Sequence, residues 1–198
     1  MQIKTQKIKN MKNIVIILLI LFNLQCKAQT IIPVEKVIDY MGSSISFPAG
    51  SYIKDVNHKL DVFTGTWKGV HGDKIYSFTI SKFTDIRSNV KEDILIIRYL
   101  ITNTNGYILE DTRSLPDLNP YLIQGYYLEQ TTYALTYSGK NAKCGQTGTI
   151  FIDWLKGSNN TKMTLFLEPE QMIISSRECP NGRAEQIIPH EQIILSKE

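Results

Sequence analysis

The chain has 198 residues, 42% of them hydrophobic and 21% charged, with 22 lysines and arginines against 19 acids. Five of those bases (Lys4, Lys7, Lys9, Lys12 and Lys27) fall in the first 28 residues, where no acid stands. The remainder therefore carries 17 basic and 19 acidic groups, formally −2. No basic patch of the kind nucleic acid requires is left, and that partner class is set aside.

Taken in chain order, the first element is a basic head followed by nine unbroken apolar residues, Ile14 to Phe22. About 20 apolar residues are needed to cross the hydrocarbon core, so the run is too short for a stable anchor. Basic head, short apolar middle and small-residue exit are the pattern of an export signal over residues 1–28. Met11-Lys12-Asn13 reads as the natural start of that signal. Two exits are open. Cys26 and Ala28 give a small-x-small site with cleavage before Gln29, which leaves a periplasmic or secreted protein. Alternatively Cys26 is lipidated and becomes the N-terminus of an outer-membrane lipoprotein, held to the membrane through that residue. Asn23 and Gln25 fit the small lipoprotein-peptidase pocket poorly, so simple cleavage is the preferred exit.

Residues 29–57 are mixed and turn-rich, broken by Gly42-Ser43-Ser44 and Pro48-Ala49-Gly50, and read as a leader segment. A short helix near Val34 to Tyr40 is the most helical structure expected anywhere after the signal. The domain proper spans 58–198. Lys74 to Phe83 alternates Tyr76, Phe78 and Ile80 with Ser77, Thr79 and Ser81, the period of a half-buried strand. Asp93 to Ile101 is apolar on both faces, as in a central strand, with Arg98 its one interior charge. Further strands are expected at Tyr121–Glu129, Thr132–Tyr137, Thr147–Leu155, Lys162–Glu168, Met172–Ser175 and Gln186–Leu195, the last an edge or bulged strand because it carries Pro189. Gly- and Asn-rich connections separate them. The spacing predicts an all-β domain, a single antiparallel up-and-down β-barrel, with a β-sandwich as the alternative.

After export two cysteines remain in either scenario, Cys144 and Cys179, and an oxidising compartment pairs them. That bond would close a loop of about 35 residues, worth roughly 3–4 kcal/mol by loop entropy. His58, His71 and His190 have no metal-ligand spacing with each other or with the cysteines, so no zinc or other metal site is expected.

Phe63-Thr64-Gly65-Thr66-Trp67-Lys68-Gly69 stands directly before the first well-alternating strand. Its Gly65 and Trp67 resemble the Gly-x-Trp that opens barrels of the lipocalin or calycin type. The resemblance implies a Trp67 that seals one barrel end and a Gly65 that lets the chain turn into the strand. As a whole, the chain resembles a family of small exported flavobacterial proteins known only as a domain of unknown function. The likeness runs through Met11–Gln29, Phe63–Gly69, Gly125-Tyr126-Tyr127, Cys144-Gly145 and Cys179-Pro180-Asn181-Gly182 to Pro189. It implies a secreted or lipid-anchored β domain with no assigned activity.

No catalytic constellation is recognisable. A nucleophile needs a placed His base, and the three histidines fall in loops or at edges. Glu92-Asp93 and Glu110-Asp111 are adjacent on strands and point to opposite faces, which reads as solvated strand ends. Gly145-Gln146-Thr147-Gly148 lacks the Lys of a phosphate loop. The protein is therefore expected to be non-enzymatic and without a cofactor. Arg98 and Asp153 interrupt apolar strands; each lines a wet cavity or faces solvent from the outer side. Tyr133 and Tyr137, from a Tyr-rich stretch, are the aromatic candidates for the same cavity. The leading expectation is a lipocalin-like barrel binding a small apolar or amphipathic ligand inside. The alternative is an envelope-associated interaction module or lipoprotein whose barrel is filled by side chains.

Overall fold

In a computed structural model, which describes residues 29–42, 45–87 and 89–198, the alternating runs become strands. The export signal with Cys26, and Ser43-Ser44, lie outside the described residues. The strands are β1 (Ile31–Pro33), β2 (Tyr52–Lys54), β3 (Gly65–His71), β4 (Lys74–Arg87), β5 (Val90–Asn103), β6 (Ile108–Asp111), β7 (Ile123–Glu129), β8 (Thr132–Ser138), β9 (Thr147–Trp154), β10 (Lys162–Pro169) and β11 (Ile193–Lys197). From β3 onward each long strand pairs antiparallel with the next, and β11 returns to β3 through Ser196↔Lys68 and Lys197↔Trp67. The result is an up-and-down barrel of eight strands, closed so that it has no open edge. A barrel, not a sandwich, is the fold.

The short strands β1, β2 and β6 lie outside the ring. They share with β7 the one edge of β5 that β4 does not cover. Lys91 and Glu92 pair with β2, Ile96 and Ile97 with β7, and Leu100 to Thr102 with β6. The leader segment follows that edge: β1 pairs parallel with β2, and a 3-10 helix over Val34–Asp39 buries Val34 and Val37 in the core. The sequence reading of a short helix there matches in place and length.

Period-two alternation explains the core. Trp67, Tyr76, Phe78, Ile80, Leu95, Ile97, Tyr99, Leu135, Ile150, Ile152, Met163, Leu165 and Leu195 point inward and belong to one continuous cluster, none more than 2% exposed. β5 is apolar on both faces because its outward Ile94 and Ile96 pack under Leu122, with Phe83 and Leu115 beside them.

One expected strand is a loop, and another is mostly loop. Met172–Ser175 has no edge to join, since β9 and β11 already occupy both sides of β10, and Ile173 is 99% exposed. Of Gln186–Leu195 only the end is strand. Pro189 lacks the N–H a ladder needs; its carbonyl instead accepts from Leu167 N at 2.8 Å, and the neighbouring Ile188 is driven fully into the barrel mouth.

Candidate functional site

Trp67 closes one end of the barrel. Its indole Nε1 donates to the Phe63 carbonyl at 2.7 Å, and the Lys197 ammonium lies 5.1 Å from the ring centroid. Gly65 adopts φ +119°, and a Cβ there would press on the Lys197 side chain at 2.9 Å. Beneath the Trp, buried Asp55 accepts from Lys59 N (2.7 Å) and Leu60 N (3.2 Å). Asp93 accepts from the Tyr52 and Thr84 hydroxyls, both at 2.8 Å, and from Asp55 N at 3.0 Å. Lys82 bridges Asp55 and Asp61, and the latter carboxyl is held below its usual range by Lys82 and by His58. Each of these acceptors has a protein donor, so these groups are anchorage.

The four residues singled out for an interior cavity do not share one. Arg98 and Asp153 point outward. Arg98 Nε donates to the Leu115 carbonyl at 3.1 Å and its guanidinium pairs with Asp117, which pins the 112–122 loop over β5. Asp153 accepts from the hydroxyls of Thr131 and Thr132, each at 3.4 Å. Tyr133 and Tyr137 point inward but serve different places. Tyr133 Oη accepts from Leu95 N at 3.2 Å, where the bulge between Gly125 and Tyr127 interrupts the ladder. Burial pushes the phenol up. Tyr137 reaches the opposite, disulfide-bearing end.

That opposite end is built by three segments distant in sequence. Cys144 and Cys179 are joined, with Cα atoms 5.6 Å apart. Around the bond, Ala184 N donates to the Cys144 carbonyl at 2.8 Å, and Gln186 Nε2 to the Gly145 carbonyl at 2.6 Å. Gln146, 3% exposed, accepts from Asn141 N and donates to the Glu185 carbonyl, each at 3.0 Å. Between these segments opens a cleft of about 590 Å3 lined by Lys74, Asn141, Gln146, Arg183, Glu185 and Ile187 among others.

Inside this end sits a group that sequence reading placed at a solvated strand end. Glu110 is 2% exposed, because β6 lies on the rim with Asp111 outward and Glu110 turned in towards Tyr99 and Tyr137. Glu110 Oε1 and both phenol oxygens are buried without a hydrogen-bond partner among the described residues, and the nearest cation, Lys140 Nζ, is 3.7 Å from Glu110 Oε1. Burial first, then Glu110, pushes the Tyr137 phenol up; Tyr99 rises through burial, Tyr137 and Glu110. A four-residue strand gives no periodicity from which Glu110's inward face can be read.

A family model described as a family of unknown function matches residues 11–198. No curated protein and no solved structure matches the chain.

Proposed function

The chain belongs to that family, DUF6705, and on this premise we propose that it is an exported, non-catalytic interaction module that receives a hydrogen-bonding segment of a partner protein in its disulfide-end cleft. One observation carries the reading. Among the described residues six buried side-chain oxygens lack a hydrogen-bond partner, and four of them (on Tyr99, Glu110, Tyr137 and Gln186) gather at the disulfide end. Buried polar groups are normally satisfied, and this cluster adjoins an open cleft whose own lining, with Lys74, Asn141, Gln146, Arg183 and Glu185, supplies the donors and acceptors a partner segment would meet. The packed interior favours this over an apolar ligand inside the barrel, since the inward side chains of all eight strands already touch one another. Export is the companion proposal, supported by the 1–28 pattern and by a disulfide consistent with an oxidising compartment.

The test has two readings. Native mass spectrometry of protein purified from its own envelope is expected to give the bare chain; a co-purifying apolar molecule would return the function to the interior. A photo-crosslinker at Arg183, in the cleft, is expected to yield a discrete protein adduct in cells. One at Thr79, on the exposed outer wall, is expected to yield none. Equal adducts at both positions would overturn the cleft as the docking site.

A further inference from the structure

A second, smaller pocket of about 240 Å3 opens where the leader segment crosses the barrel. Val37, Tyr40, Met41 and Phe47 form one wall, and Arg87, Glu92, Gly125 and Tyr126 form the other. The wall from the leader is apolar and aromatic, with the Tyr40 and Phe47 rings 4.5 Å apart. Facing it, the Glu92 carboxylate has neither a hydrogen-bond nor an ion-pair partner among the described residues. Arg87 shares the pocket, but its guanidinium is already held by buried Asp85 and by Gln124 Oε1 at 3.0 Å. The cation nearest Glu92 is thus committed elsewhere.

We infer that this pocket binds a small organic cation, an alkylammonium whose charge meets Glu92 and whose carbon chain lies against Val37, Met41 and the aromatic rings. A half-buried carboxylate without a partner calls for a cation or a donor. Aromatic faces attract ammonium groups through their quadrupole, and the apolar wall suits an alkyl body. An anion is excluded by the same arrangement: Glu92 repels it, and Arg87 would have to leave Asp85 to receive it. The site does not depend on the disulfide-end cleft.

The groups that face Glu92 set the pH response. β4 contributes Arg87 and Asp85, β7 contributes Tyr126, β8 contributes the Tyr133 phenol and the leader contributes Tyr40, while β2 pairs through Ile53 and adds no charge to the lining. Burial raises the Glu92 carboxyl to about 7, with Arg87 lowering it and Asp85 raising it. Cation binding requires the ionised form, so affinity should increase as pH rises from 6 to 8.

The experiment titrates the purified protein with n-butylammonium and, separately, with butyrate, followed by NMR chemical shifts. Butylammonium is expected to move the resonances of Met41, Glu92 and Tyr126, with tighter binding at pH 8 than at pH 6. Glu92→Gln should weaken it at least tenfold and remove the pH dependence. Tyr126→Phe, which keeps the ring, should bind within about twofold of the parent. Equal binding by Glu92→Gln, binding of butyrate as tight as that of butylammonium, or no shift at these residues would each overturn the proposal. Because failure of cleft crosslinking at Arg183 leaves these readouts untouched, the two proposals fall separately.

Discussion

Gly125 is a residue whose identity is tightly constrained. At the β7 bulge its missing side chain leaves room for the Tyr133 hydroxyl, and a Cβ would overlap that oxygen and stand 2.9 Å from Leu95 N. Gly125→Ala is therefore expected to destabilise by about 1–3 kcal/mol, the usual cost of overpacking. Much of that loss should disappear in a Tyr133→Phe background, because the overlapping atom is gone. Equilibrium urea unfolding of the four proteins in a double-mutant cycle measures the coupling, and strict additivity would contradict the geometry. Glu92 makes a different demand. Its folded value of about 7 lies above an unfolded value near 4.3, so the folded state holds the proton more firmly. The stability it contributes is complete below pH ~4 and is lost as pH rises through ~7, on the order of 3–4 kcal/mol in total. Relative to the parent, Glu92→Gln should gain stability across that window and track it at lower pH. Thermal melts at pH 5 and pH 8 read the difference.

Among the elements, the disulfide-end hairpin holds most of what is not barrel. The Cys144–Cys179 bond ties the 141–146 turn to the long segment that carries Ile188 into the barrel mouth. Reduction should cost roughly 3–4 kcal/mol by loop entropy. Native-state hydrogen exchange is expected to show residues 178–189 opening first while β8 and β9 stay protected; uniform deprotection would mean that the bond supports the barrel itself. How much of this was legible in the sequence depended on locality. The alternation of Tyr76, Phe78 and Ile80 with small polar residues marks β4, and the count of two remaining cysteines marks their pairing. Which way Arg98 points was not legible, because β5 is apolar on both faces and the covering 112–122 loop comes from elsewhere in the chain. Met172–Ser175 looked like a strand from its residues, yet a strand also needs a free edge, a property of the assembled sheet. The same holds for the cleft, which three distant segments build together.

At the scale of the whole molecule, an eight-stranded ring can hold a ligand or fill itself with side chains, and this one is filled. Trp67 closes one end and Ile188 occupies the other, with a continuous apolar column between them. The two proposed recognition sites accordingly lie outside the filled barrel, at the disulfide-end cleft and at the leader seam. The closure between the first and last barrel strands arises from a pairing that no local window contains.

The closing pair, Lys68 with Ser196 and Trp67 with Lys197, also bears on the export proposed above. Its two halves are the earliest and the latest barrel strands to leave the ribosome, so the ring cannot close while β11 is still unmade. Until then β3 and β10 each present an unpaired edge, a state prone to pairing with other chains. A chain threaded unfolded through a membrane from its N-terminus meets no finished barrel to unravel. The timing of closure thus suits passage first and folding afterwards on the far side.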